Sequence, residues 1–312
     1  MMKAAVLTAP GKLVLTSLPV PSCGEDGVLV KVKTACICNG SDPSILSGRT
    51  WTEFPAVFGH EAFGEIVEVG SKVKGYSEGD QISWWFTLGA FAQYVMIRPE
   101  ETAVLKLPAD MPREEAPIFE LVIAASRAVY AADVAGKRVI IQGMGPSGLI
   151  MAQLCRSMGS METAGIDLYE SRRRLGRYYG CSELDDAGGY DILIDAFGNE
   201  VYGQGADSNR MIGMLRDGGE LILYGQPPEG RRLDSHLIQK KQIQIRLPSN
   251  DICRIRDMAK DCLEFYLAGE LSLKELVTDI ISFEEIPAAL EELCRQPQKH
   301  IKMIVDMERA GM

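Results

Sequence analysis

The chain has 312 residues, long for one hydrophobic core and comfortable for two. Its 46% hydrophobic and 24% charged residues are the balance of a soluble globular protein. A formal net charge of −10 argues against nucleic-acid binding, which needs a basic face to neutralise phosphates.

No apolar run approaches the roughly 20 residues that span a bilayer. Met1–Pro10 reads as a first strand (Lys3–Leu7) rather than a signal peptide, so the expected compartment is the cytoplasm. Eight cysteines make no dense disulfide framework in a chain of this length; buried thiols and metal ligands are their sensible roles there.

Up to about residue 118 the chain is rich in short β-type runs. Val28–Lys33 and Gly64–Gly70 alternate, and Phe91–Ile97 follows a small-residue turn. This predicts a β-rich, barrel-like domain. Arg113–Ala132 has helical spacing. From Lys137 strands and helices alternate: strands are expected at Arg138–Gln142, Thr163–Ile166, Ile192–Asp195, Glu220–Tyr224 and Gln242–Arg246, with a helix over Ser147–Met158. Such alternation implies a parallel sheet with right-handed crossovers. Near residue 270 it stops, and Ile301–Val305 reads as a last strand returning to the first domain.

Gly143-Met144-Gly145-Pro146-Ser147-Gly148 sits directly after one strand and opens a helix. Its glycines permit a tight turn and close backbone approach to a pyrophosphate, and the helix start supplies free N–H groups. Asp167 stands 19 residues after Gly148, just past the next strand, where a carboxylate accepts from the adenosine ribose hydroxyls and repels a 2′-phosphate. NAD is therefore the expected dinucleotide. Arg172, Arg173 and Arg174 are candidates for the adenosine pocket, with a solvated helix face the reading for at least two of them.

Cys36–Asp42, Gly59-His60-Glu61 and Glu120 are three separated groups of metal-capable residues. Zn²⁺ accepts thiolate, imidazole and carboxylate, and a catalytic zinc takes three protein ligands. Cys38, His60 and Glu120 would be such a set. Taken singly, they also read as a buried thiol, a structural imidazole and a helix-surface carboxylate.

The run Gly59–Gly70, continued by Gly79-Asp80-Gln81-Ile82, resembles the signature of the medium-chain zinc alcohol dehydrogenases. Lys3-Ala4-Ala5, the loop 143–148, Asp195 with Gly198, Gly218-Gly219, Gly225 and Ile301-Lys302 extend the resemblance over nearly the whole chain. It implies an α/β protein with a GroES-like catalytic domain (1–118 and 272–312) and a Rossmann dinucleotide-binding domain (119–271), the active site lying in the cleft between them. By resemblance, Cys38, His60 and Glu120 bind one catalytic zinc per chain, and a glutamate as third ligand resembles the sorbitol-dehydrogenase branch. Glu61 stands next to the metal, Asp42 accepts from the second nitrogen of His60, and Ser41 begins the proton relay. Gly143, Gly145, Pro146, Ser147, Gly148, Asp167, Arg172, Gly198, Gly225 and Lys302 serve the cofactor, Lys302 at its pyrophosphate. The partner is a small-molecule alcohol, polyol or sugar, with no nucleic acid and no membrane. A homodimer built on edge strands such as Gln242–Arg246, or a tetramer, is implied.

The chain departs from that family in three places. Asn39-Gly40 lengthens the usual gap between the cysteine ligand and the relay hydroxyl, so either Cys38 stays the ligand and the loop bulges at Gly40, or the relay is altered. Pro43, Ser44 and Ile45 occupy the stretch where a relay histidine often stands. The four-cysteine lobe of a structural zinc is missing, since no cysteine falls between Cys38 and Cys155. Trp51, Trp84, Trp85 and Phe86 are candidates for either the substrate-pocket wall or core packing. A zinc-free reductase of the same superfamily and a non-catalytic NAD-binding protein are the rival readings.

Overall fold

The computed structural model describes residues 1–50, 53–198, 208–227 and 230–309; Trp51 lies outside them. The chain forms two compact units, Met1–Leu121 with Leu273–Met312, and Val122–Ser272.

The first unit holds two sheets. In the smaller, β1 (Met2–Ala9) lies between β2 (Lys12–Leu18) and β4 (Ala56–Val57). The larger is built around β3 (Val28–Ile37), which pairs antiparallel with β5 (Glu61–Val69) and, at its first half, with β7 (Tyr94–Ile97). β6 (Gln81–Trp84) and β8 (Val104–Lys106) extend the sheet beyond β5. On the other side, β15 (Lys302–Asp306) pairs antiparallel with β3 and parallel with β14 (Val277–Ser282). α1 (Ser41–Leu46) follows β3, and α8 (Ile286–Arg295) precedes β15. One core serves these elements, with Ile37, Phe58, Ile82, Trp84, Phe91, Leu290 and Val305 all buried. Trp84 is thus a core residue.

α2 (Phe119–Val129) carries the chain into the second unit. It is shorter than the helical spacing over 113–132 suggests, because Pro117 lacks an amide hydrogen and leaves only a 3₁₀ turn, Ala116–Ile118, ahead of it.

The second unit is a five-stranded sheet in the order β10 (Glu162–Ile166), β9 (Arg138–Gln142), β11 (Tyr190–Asp195), β12 (Leu215–Leu223), β13 (Gln244–Arg246), every pairing parallel. The connections include α3 (Pro146–Ser157), α4 (Glu170–Tyr178), α5 (Ser208–Met214) and α6 (Ser235–Lys241); α7 (Ile252–Leu267) follows β13. β9 is buried at four of its five residues, as a strand covered on both faces must be. Between α4 and β11 the pairing shrinks to a single parallel bridge, Ala164 to Ser182. β13 starts later than the apolar pattern suggests, since Gln242 is the left-handed residue (φ 54°) ending α6. The strand order reverses at β9: the chain runs first to β10 on one side, then to β11 on the other. The crevice beyond the carboxyl ends of such neighbours is where open α/β sheets take ligands.

Candidate functional site

In the first unit, strand register assembles a cluster of ionisable groups. Cys36 stands opposite Glu61 across the β3–β5 pair, and Met303 opposite Ile37 across β15–β3, which sets Lys302 at the level of Cys38. The metal-binding atoms of Cys38, His60 and Glu61 lie within 4.8 Å of one another, and all three residues are buried. Glu120 stands outside this group. Its Oε1 accepts from the Phe86 amide at 3.1 Å.

Asp42, in the first turn of α1, is wholly buried. Its Oδ2 accepts from the Cys38 amide at 2.8 Å, and its Oδ1 lies 3.4 Å from His60 Nδ1. That approach is too long and bent to satisfy either atom, and neither has another hydrogen-bond partner among the described residues. The residue added between Cys38 and Ser41 is taken up by a helical turn: Gly40 (φ −88°, ψ −59°) precedes α1, and the Asp42 amide donates to Cys38 O at 3.2 Å. Ser41 N–H approaches Cys38 Sγ at 3.4 Å.

Lys302, expected at a cofactor phosphate, is fully buried here, with Nζ on Glu61 Oε2 and 3.4 Å from Ile37 O. Glu61 Oε1 has no hydrogen-bond partner among the described residues. Burial pushes the Glu120 carboxyl up to about 7, an effect that His60 counters and Glu61 reinforces. Burial alone would lower His60, but Cys38 and Asp42 hold it well above the usual imidazole range. Burial raises the Cys36 thiol, and Lys302, which burial would lower, is held up by Cys36 and Glu61.

Asp42, Glu61 and Glu120 are three buried carboxylates gathered around Cys38 and His60, and Asp42 Oδ1 and Glu61 Oε1 have no hydrogen-bond partner among the described residues. Low-dielectric surroundings make uncompensated charge costly, and a divalent cation offsets it. Thiolate, imidazole and carboxylate are also ligands that zinc accepts. The residues present therefore fit such an ion.

In the second unit, Gly143 (φ +100°) turns the chain out of β9, and a Cβ there would stand 3.2 Å from Phe197 N. Gly148 packs so closely on that turn that a Cβ would fall 1.9 Å from Gly143 O. Gly145 is the N-cap of α3 and Pro146 follows, so the N-cap residue offers no side chain to the first amides of the helix. Those amides suit an anion. Ser147 Oγ is 3.4 Å from the Tyr224 hydroxyl.

Asp167 Oδ2 accepts from the Met144 amide at 2.8 Å and Oδ1 from Tyr169 N–H at 2.9 Å. Arg172 is buried with its guanidinium 3.8 Å from Asp167 Oδ2 and above the Tyr169 ring. Arg173 pairs with Glu170 at 2.7 Å and Arg174 is exposed. Gly198 and Gly225 press against each other, a Cβ on Gly225 falling 2.2 Å from Phe197 O. Sequence reasoning missed what ties these turns together: Arg231 pairs with buried Asp195 at 2.8 Å and also donates to Phe197 O and Gly225 O. It missed equally the Glu61–Lys302 pair and the Phe86 amide, because partners 34 to 241 residues apart leave no spacing signal.

Residues 24–109 match the alcohol dehydrogenase GroES-like domain family. The chain is 29% identical over 266 residues to the L-threonine 3-dehydrogenase of Aeromonas hydrophila, covering 70% of this chain and 75% of that one. Its fold is similar to that of 2R,3R-butanediol dehydrogenase from Bacillus subtilis, with a TM-score of 0.84, 21% identity, and 99% and 100% of the two chains covered. Galactitol-1-phosphate dehydrogenase from Escherichia coli gives a TM-score of 0.84 at 20% identity, covering 98% and 100%. Among the described residues no helix is long and apolar enough to cross a membrane.

Proposed function

We propose that this chain, whose residues 24–109 match the alcohol dehydrogenase GroES-like domain family and which is similar over most of its length to L-threonine 3-dehydrogenases, is an oxidoreductase of the medium-chain zinc alcohol dehydrogenase kind that interconverts a secondary alcohol, polyol or sugar with its ketone, using NAD and one zinc per chain. The observation that carries this reading is the buried Cys38, His60 and Glu61 group with Glu120 beside it.

In this reading the unit 1–121 with 273–312 is the GroES-like catalytic domain and 122–272 the Rossmann domain. Cys38, His60 and Glu120 hold the metal, and Glu61 stands by as a fourth donor or exchanges with one of them. Bound there, zinc would supply Lewis acidity toward an alcohol hydroxyl, and the dinucleotide a hydride acceptor. Asp42 Oδ1, 3.4 Å from His60 Nδ1, would close onto that nitrogen and orient the ring once a metal is bound, the role a carboxylate commonly plays behind a metal-binding imidazole. Ser41, beside Cys38 at the start of α1, would begin the proton relay, accepting the alcohol proton as its own hydroxyl proton passes on to water. Lys302 holds Glu61 Oε2 and so limits how far that carboxylate turns to the metal.

The amides of the 143–148 loop and the start of α3 take the pyrophosphate. Asp167 exchanges its bonds to the loop for the adenosine ribose hydroxyls, favouring NAD over NADP. Arg172 flanks that pocket, and Gly198 and Gly225 keep the turns after β11 and β12 close to the cofactor. A homodimer formed in the cytoplasm through the exposed edge strand β13, whose Ile245 is 45% exposed, completes the reading.

Elemental analysis of the purified protein tests it. Wild type is expected to carry about one zinc per chain. Cys38→Ala should lose that zinc and turnover by about 10³-fold or more, since Lewis-acid stabilisation amounts to several kcal/mol. NAD binding by Cys38→Ala should persist. Undiminished alcohol oxidation after full demetallation would reject the zinc reading.

A further inference from the structure

After β6 the chain returns to β7 through the short turn Trp85–Ala90. Main-chain bonds fasten this turn to two segments of the metal cluster. The Gly89 and Ala90 amides both donate to Gly59 O, at 2.9 and 3.1 Å, the carbonyl directly before His60. The Phe86 amide donates to Glu120 Oε1. Trp85 N–H anchors the base of the turn on Ala103 O at 2.9 Å.

Phe86 is held in the left-handed region at φ 40°, one of two described non-glycine residues with positive φ. The other, Gln242, ends a helix, where that conformation is common. Phe86 ends no helix. A bulky residue occupies this region only where its surroundings over-determine it, and such strain concentrates at functional sites. Its ring lies 5.1 Å from the His60 ring, tilted by 54°, yet the residue is 53% exposed. An aromatic side chain that stays half in water on a strained backbone contributes little to the core. Glycine or asparagine would fit this φ more comfortably.

We propose that Phe86 is a positioning residue for the metal ligands: its ring, seated on His60, holds the backbone left-handed so that its amide fixes one oxygen of Glu120 beside the Cys38–His60–Glu61 group. With one oxygen held, the carboxylate presents the other over a restricted range of directions. The turn thus ties the orientation of the third ligand to the placement of the second. This inference rests on the metal reading above.

The test is zinc affinity of the full chain, measured by competition with a chromogenic chelator, alongside thermal melting of the metal-free protein. Phe86→Ala lacks the ring that enforces the left-handed backbone, so its amide should swing off Glu120 and zinc affinity should fall by about 10- to 100-fold, the usual loss when an outer partner of a metal ligand is removed. Phe86→Gly and Phe86→Asn, which adopt this φ without the ring, should stay within about threefold of wild type. In a Glu120→Ala background, Phe86→Ala should cause no further loss, because it acts through Glu120. Melting of the metal-free Phe86→Ala protein should be close to that of wild type. Equal affinities for Phe86→Ala and wild type, or an undiminished effect of Phe86→Ala without Glu120, would overturn the inference and leave the metal reading standing. A wild-type protein with no zinc affinity would overturn both.

Discussion

Asp167 and Glu61 are buried carboxylates, one in each unit, and their surroundings differ in kind. Asp167 has both oxygens on backbone amides, from Met144 and Tyr169, with Arg172 alongside. Glu61 has one oxygen on Lys302, and the other has no hydrogen-bond partner among the described residues. Asp167 is therefore satisfied without a ligand, and under the proposed function it would exchange these bonds for those of a dinucleotide. The Cys38–His60–Glu61 cluster leaves Asp42 Oδ1 and Glu61 Oε1 without partners among the described residues, and a cation is what would satisfy them. Amides bind an anion or a carboxylate alike, whereas a knot of buried acids is costly until a cation arrives.

The largest effect that probes this contrast is on stability. Lys302→Met leaves Glu61 buried without its partner and should cost about 3–5 kcal/mol in denaturant unfolding of the metal-free protein. Added zinc should recover much of that loss. Arg172→Met, at the other carboxylate, should cost markedly less, since Asp167 keeps both amide bonds. Equal losses at the two sites would break the contrast. A smaller effect falls on binding. Asp167→Gly should weaken NAD by about 10- to 100-fold, the worth of charge-assisted hydrogen bonds, with a lesser effect on NADP in fluorescence titration. If the preference between the two is unchanged, Asp167 does not set it.

The last expected effect is a pH slope. Burial lifts Glu120 from 4.5 to about 7, so between those values the folded chain keeps a proton that the unfolded chain has released. Stability of the metal-free protein therefore falls as pH rises through that window. Glu120→Gln should remove this contribution and flatten the curve there. A slope identical in the two proteins would show that Glu120 titrates normally.

Much of the second unit was legible because its signals are local. A buried apolar run, a glycine turn, a helix and the next strand follow one another within 138–166, and each is set by neighbours in sequence. The first unit was harder to read. Short strands such as β4, β6 and β8 carry too few residues to show a period, and they form because β1, β5 and β6 offer them edges. The aromatic run Trp84-Trp85-Phe86 could not be divided between core and surface from its residues. The structure buries Trp84 and exposes Phe86, because β6 ends at Trp84 and the chain turns.

Residue types and local spacing by themselves determined the two-part α/β plan, the glycine loop opening a helix, the acid after the following strand, and a supply of thiol, imidazole and carboxylate able to hold a metal. Only the tertiary structure decided which of these groups meet. The registers of β3 with β5 and β15 set Glu61 against Lys302 and both beside Cys38, and a left-handed residue turned an amide onto Glu120. The reason is physical. Local preference acts over a few residues, whereas strand pairing and charge burial join residues far apart in sequence, and their energies exist only once the chain has closed on itself.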